Sequence, residues 1–569
     1  MYSQQSPFFQ RLPREIRDMI YLEYFFEQDG YICQPSSGKL TNSDGSPIQF
    51  DFMYTCRATA EEMKGLALQA NIVTFRPSST AVGENTDDNH GPMTISERFR
   101  HLLNYVALLK IETLYHAADC ITEESMEQIE KAFPEAAIKL DRALHDVYHK
   151  RDSPEHHTFE AEYLGTSVHL DDRSSLRNAI NFAFDLVSSH SRFESLASRI
   201  LDSNTLRGPL RHLTDWDSFY EVLKWRPEAW DIPDELDISR IEGLVIWDIQ
   251  FIYSEIPEHI ENPYRFRYYF SAASIAIDFL KRYTSHRQNM RIIRIQEDKK
   301  FISHPWSHIN GLVPFYAENS RLQIIWHVSL LHAILPCGVN TLAFLAEIES
   351  LSHAEDYMRN SHFLENVLVP LISWVEAAVS VPIPSNSFTL VLDNGSKDDT
   401  IWPVWNAIKH ALMLYEILFK CAQLKNIDEA LLTRKLSVQW PLTGLMPILS
   451  DEDDYTSGIN FRMDYGAKEY TPSWLLANFV HVVKHMILRK STRIKFSAAT
   501  PLEPVWDIEG LMENIHAMSL REMREAWSHK ISEQTTFPAE WVTDMCRAYL
   551  FNDHCLNRML SARSSDVLT

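Results

Sequence analysis

Between Phe270 and Val328 the apolar pattern repeatedly changes period, and this alternation limits the fold more than any other feature of the chain. Phe270-Ser-Ala-Ala-Ser-Ile-Ala-Ile-Asp-Phe-Leu280 has helical spacing, and Met290 to Ile295 reads as a strand. Pro305 to Asn319 supports another helix before a second strand at Leu322 to Val328. Helix, strand, helix, strand in so short a stretch is the order of stacked α/β units. No internal repeat of fixed period accompanies it, so sequence identity does not support a regular solenoid. Only 16 glycines occur in 569 residues, too few for folds that cradle phosphates or close many tight β-turns.

Upstream, Ser6 to Phe26 carries a Leu12-Pro13 step, then Ile16, Met19, Ile20 and Tyr24 at helical spacing, with Phe8, Phe9 and Leu12 as an apolar lead-in. A helix over 57–70 and a strand at Ile72 to Phe75 follow. Residues 77–93 read as a loop, and Thr94-x-x-Glu97 has capping-box spacing. Val106 to Tyr115 alternates enough to predict a strand, 122–149 a long helix broken at Pro134, and Leu176 to Val187 another helix. Beyond 330 helical periods dominate, with one strand, Ser387 to Asp393, standing alone ahead of an Asn394-Gly395 turn. The expected fold class is α+β, predominantly helical. Its regions are a helical head at 1–76, a loop or linker at 77–96, an α/β middle region at 97–330 and a mainly helical C-terminal region at 331–569.

The formal net charge of −23 excludes a generally basic, phosphate-coating protein. The 14 tryptophans lack interleaved Lys and Arg, so they read as core and corner fillers, and no nucleic-acid partner is expected. Seven cysteines, odd in number and scattered, read as reduced thiols of a cytoplasmic or nuclear protein. No apolar run reaches the ~20 residues of a bilayer crossing, so no membrane association is expected. His145 with His149, His481 with His485, and Cys546 with His554 and Cys555 lack the further ligands of a zinc site. Glycine motifs for nucleotides and the serine-hydrolase elbow are missing, so no catalytic residue, metal or cofactor is expected. Glu297 and Asp298, at a strand's carboxyl end, read as a solvated corner.

Phe9-x-x-Leu12-Pro13-Arg14-Glu15-Ile16-Arg17-x-x-Ile20-Tyr21 resembles the opening of the F-box-like domains that head a large group of ascomycete fungal proteins. Cys56-Arg57-x-x-x-Glu61-Glu62, followed by Asn71-x-x-x-Phe75, is similar to the second half of that head. In an ordinary F-box these halves lie about half as far apart, which makes 27–49 an insertion. Phe270 to Leu280, Ile292 to Asp298, His308-x-x-Gly311-Leu-Val-Pro-Phe315, Glu318-Asn319 and Ser387 to Asp393 look like later blocks of the same group. The resemblance implies an F-box-like head, a middle region of leucine-rich-repeat-like units, and a non-catalytic adaptor that holds an unknown protein substrate. Its docking anchors on the small acidic adaptor subunit of a cullin-RING ubiquitin ligase would be Phe9, Leu12, Pro13, Ile16 and Ile20. The other reading is a regulatory or scaffold protein that keeps the head as a folding element.

Overall fold

In the computed structural model, the residues described are 7–78, 94–133, 174–202, 215–254, 269–299, 305–334, 369–393 and 491–496. Within them, seven strands make one sheet: β1 (Tyr31–Gln34), β2 (Lys39–Asn42), β3 (Ile72–Phe75), β4 (Ile292–Glu297), β5 (Gln323–Ser329), β6 (Phe388–Asp393) and β7 (Ile494–Phe496). The spatial order is β2-β1-β3-β4-β5-β6-β7. Only β1 and β2 pair antiparallel. All other neighbours are parallel. From β1 onward the parallel strands follow chain order, so among the described strands the winding does not reverse and no switch point of the kind doubly wound folds use for ligands is formed. The sheet draws β1 to β3 from 1–76, β4 and β5 from 97–330, and β6 and β7 from 331–569.

Strand alternation sets which side is dry. Ile293, Ile295 and Glu297 of β4, Ile324, Trp326 and Val328 of β5, and Phe388, Leu390 and Leu392 of β6 are all buried, while their neighbours are half-buried or, at Gln323, exposed. At the entry to β1, Gly30 sits at φ +69, and a Cβ there would collide with the Ile72 carbonyl at the start of β3. That close approach lets the segment 27–49, read as an insertion, form a hairpin that joins the sheet, while its Tyr31, Leu40 and Ile48 pack on the head core.

The head helices are α1 (Pro7–Arg11), α2 (Arg14–Phe25), α3 (Arg57–Met63) and α4 (Leu66–Ala70). They enclose a small core of Tyr21, Phe25, Tyr31, Met63 and Ala67, ringed by Phe8, Tyr24, Phe50 and Phe52. Phe52 makes edge contacts with Phe8, Tyr21 and Tyr24 at centroid distances of 5.9, 5.7 and 5.4 Å.

A helical layer follows: α5 (Ile95–His116), α6 (Glu123–Ala132), α7 (Ser174–Ser188), α8 (Trp216–Lys224) and α9 (Glu235–Ser254). The capping box forms, with Thr94 Oγ1 accepting the Glu97 N–H at 3.3 Å and Glu97 Oε2 accepting the Thr94 N–H at 2.9 Å. It opens a helix that runs through Val106 to Tyr115, where a strand was expected. Phe99, Leu102, Leu103, Val106 and Leu109 recur every three or four residues and are all buried, so the helical period prevails over the local alternation. Arg98 clamps α5 to Glu235 and Glu242 of α9. Among the described tryptophans, Trp216, Trp225 and Trp230 pack half-buried against the core, and Trp326 and Trp374 lie within it.

Finally, α10 (Ala272–Arg282) and α11 (Val369–Ser380) cover the dry face of the sheet. Phe279 meets Phe75 at 5.5 Å, and Trp374 meets Trp326 at 4.6 Å. The strand expected to stand alone, β6, lies between β5 and β7. The expected α+β class is therefore observed as helices around one sheet. The helical periods that the sequence carries beyond 330, at 340–358, 402–423 and 473–489, lie outside the described residues, as do the turn at 394–395 and the His145, His481 and Cys546 groups.

Candidate functional site

Helix α2 is apolar on more than one side, and its structure sorts those side chains into two sets. Proline at 13 ends the short α1 and stands as the residue before α2, where its missing N–H removes no helical bond. Tyr21 and Phe25 point into the head core and are 0% and 2% exposed. Ile16, Met19 and Ile20, at i, i+3 and i+4, are 42%, 65% and 37% exposed, and Leu22 and Phe26 are also exposed. Among the described residues these five dominate the exposed large hydrophobics, beside Tyr54 and Leu236.

Glu62 of α3 holds α2 in this orientation. Its carboxylate accepts from Arg17 Nε at 2.9 Å and Nη2 at 2.7 Å, and from the Tyr21 hydroxyl at 2.9 Å. Arg14 Nη1 adds an ion pair at 3.0 Å. The Arg17 hydrogen bonds, foremost, hold Glu62 down at about 2, with Tyr21 and Arg14 helping. Arg17 also donates to the Leu12 carbonyl at 2.6 Å and lies over the Phe9 ring at 5.1 Å. At the other end, Asn71 Nδ2 donates to the Phe25 and Ala67 carbonyls at 2.6 and 2.9 Å, and its Oδ1 accepts the Glu27 N–H at 2.8 Å. One side chain thus satisfies orphan carbonyls of α2 and α4 together. Cys56 caps α3, its Sγ accepting the Thr59 N–H at 3.4 Å.

Of the five sequence-expected anchors, Pro13, Ile16 and Ile20 are exposed, while Phe9 and Leu12 are half-buried and tied to Arg17. Met19, Leu22 and Phe26 are exposed as well, although the sequence reading did not single them out. The available signal was an excess: a helix carrying Ile16, Met19, Ile20, Tyr21, Leu22, Tyr24 and Phe25 has more apolar groups than one buried stripe accommodates.

The chain matches no family model, no curated protein and no solved structure.

A second cluster of polar side chains lies beneath α10. Glu297, expected at a solvated corner, is 1% exposed, because it continues the inward phase of Ile293 and Ile295. Its oxygens accept the N–H groups of Ala272 and Ala273, at the start of α10, at 2.9 and 3.0 Å. Trp326 Nε1 stands 3.5 Å away. Burial dominates and pushes the carboxyl up to about 7, although the two N–H donors favour the charged form. Beside it, Ser271 caps α10 by accepting the Ser274 N–H at 3.0 Å, and its Oγ lies 2.6 Å from His308 Nδ1. Burial, with Arg177 nearby, lowers His308 to about 3, so its ring is neutral.

A serine beside an imidazole has the elements of nucleophilic catalysis, but these groups are 0–1% exposed and Glu297 bonds the helix start, not the histidine. In this conformation they serve as ties: strand β4, helix α10 and the turn around His308 are locked by mutually satisfied polar groups. Gly311 completes the lock, since a Cβ there would stand 2.6 Å from Ile277 and 2.9 Å from the Trp230 ring. Asn319 Nδ2 donates to the Met290 carbonyl at 2.9 Å, and Arg287 pairs with Glu318 at 2.5 Å. Among the described residues there is no group of three His, Cys, Asp or Glu placed to hold a metal, and no helix long and apolar enough to cross a membrane.

Proposed function

We propose that the chain is a non-catalytic substrate-binding adaptor whose outward α2 face docks on the small acidic adaptor subunit of a cullin-RING ubiquitin ligase. The observation that carries this reading is the exposed set Ile16, Met19 and Ile20 on a helix whose opposite side is fixed by Glu62 and Asn71. An exposed apolar stripe on a rigid helix suits a helix-in-groove contact, in which a few buried anchors carry most of the affinity. The hairpin at 31–42 supports it too, because it runs in the sheet and, among the described residues, leaves Ile16, Met19 and Ile20 exposed. The parallel strands in chain order support leucine-rich-repeat-like stacking of the middle region, which would present the substrate-holding surface.

Mixing the purified intact chain with a purified cullin-ligase adaptor subunit tests the proposal directly. A complex is expected, and Ile16→Asp or Met19→Asp should abolish it, because a carboxylate would have to enter an apolar groove at a cost of several kcal/mol. If the wild-type chain forms no complex, or if both variants bind as before, the proposal fails. The head then serves only as a folding element, a role that the burial of Tyr21 and Phe25 against Tyr31 of the sheet would also satisfy.

A further inference from the structure

The side of the sheet turned away from α10 and α11 carries an excess of positive charge, in a chain whose net charge is −23. Alternation and register set Arg76 just past β3, Gln296 of β4, His327 of β5, Val391 of β6 and Lys495 of β7 in one row across the strands. Arg76 Nε donates to Gln296 Oε1 at 3.2 Å, which joins two members of the row directly. Lys39, opposite Gln34 in the hairpin, lies on the same side. Arg294 stands one step behind the row, in register with buried Thr74 and half-buried Ile325. Burial, and then Arg294, lowers His327, while Asp393 at the end of β6 acts the other way. Asp393 is the single acid that the described strands place on this side.

The cations here differ from those elsewhere in their partners. Arg17, Arg98, Arg226, Arg240 and Lys281 all form ion pairs. Among the described residues, Lys39, Arg76, Arg294 and Lys495 have no carboxylate partner. Arg294 is half-buried, and its Nε is shut off from solvent with no acceptor. A guanidinium so placed is costly until an anion reaches it. The side is accessible: Lys39, Arg76 and Lys495 are exposed, and Ile325 and Val391 are half-buried outside the packed core. The head packs on the opposite side, through Tyr31 in register with Val73.

We propose that this side of the sheet binds an extended acidic peptide segment of a partner protein, whose carboxylates meet Arg76, Arg294 and Lys495. From β3 to β7, four strand spacings of about 4.8 Å make a row of about 19 Å, the length of about six extended residues. Acidic side chains at alternate peptide positions point the same way roughly 7 Å apart, so one segment reaches from Arg76 past Arg294 to Lys495. The Gln296 amide and the apolar Ile325 and Val391 between the cations suit peptide groups better than an unbroken run of phosphates, and the net charge of −23 repels a long polyanion. The inference deepens the adaptor reading by naming the substrate class, and rests on it only in treating the owner of the peptide as a substrate.

The test is fluorescence anisotropy of a labelled octapeptide of alternating glutamate and glycine, long enough to span the row, titrated with the intact chain. Saturable binding that weakens with added salt is expected, and the same peptide with glutamine in place of glutamate should bind about tenfold more weakly. Arg76→Glu combined with Lys495→Glu changes only exposed side chains and should weaken the acidic peptide by about tenfold, as should Arg294→Gln. If Arg294→Gln does not fold, the exposed pair decides alone. Ile16→Asp, which removes adaptor docking, should leave peptide binding as it is, so this inference and the adaptor reading fail separately. No saturation below ~1 mM peptide overturns the inference. So does binding that survives the exposed double variant, is equal for the glutamine peptide, is lost in Ile16→Asp, or is outcompeted by a single-stranded oligonucleotide of equal charge.

Discussion

Glu62 and Glu297 both accept from fixed donors, yet their surroundings push them in opposite directions. Glu62 is held at about 2 by the Arg17 guanidinium, so its contribution is present above the ordinary 4.5 and is lost as pH falls through about 2. Glu62→Gln should cost about 1.5–3 kcal/mol at neutral pH, the range for a hydrogen bond to a charged group. Urea unfolding measures this, and an unchanged midpoint would mean that the tie contributes nothing. Glu297 runs the other way. Its folded form keeps a proton up to about 7, so its stabilisation is full below 4.5 and is lost as pH rises through 7. Glu297→Gln should therefore flatten the fall in melting temperature between pH 5 and 8. Parallel melting curves for the two proteins would refute this account. The inward position of Glu297 was readable from its phase with Ile293 and Ile295, but its partners on α10 lie 24 and 25 residues earlier in the chain, and no periodicity announces such a contact.

Helix α2 offers a contrast between its two sides. Phe25→Ala should destabilise by about 3–5 kcal/mol, since it opens a cavity among Tyr21, Tyr31 and Phe50. Ile16→Asp should change stability by no more than about 0.5 kcal/mol, as an exposed substitution. Thermal melting of both variants separates the sides, and a large loss in Ile16→Asp would place that residue in the core instead. Elements with a clear cap or phase were readable from sequence: the Thr94 box, β3 to β6, α7 and α10 all lie within a few residues of their expected positions. Val106 to Tyr115 misled because its ten residues alternate locally, while the cap that commits the chain to a helix lies a dozen positions upstream. The outward side of α2 was only half readable, since periodicity finds apolar faces without saying which one finds cover.

Across the whole molecule, the head and the rest are joined by backbone. β3 hydrogen-bonds β4 over Ile72 to Phe75, so removing residues 1–76 would strip β4 of its neighbour and bare a parallel edge. A chain of 77–569 should be insoluble or lack a cooperative melt. A soluble, cooperatively melting product would show that the sheet tolerates the cut. This also makes point substitutions on α2 a cleaner probe of docking than truncation, which would take Tyr21, Phe25 and the Asn71 partners with it. The same pairing sets a timetable. Ile72 sits opposite Ile292, 220 positions later in the chain. At synthesis rates of about 5–20 residues per second, the hairpin and β3 would emerge about 11–44 s before their neighbour exists. Throughout that interval an unpaired strand edge is available to other nascent chains, and closing so long a loop is slow even afterwards. Recovery of this protein from denaturant should also be poor at high concentration and improve on dilution or with a holding chaperone, because β3 and β4 must find each other across 220 residues even when the whole chain is present.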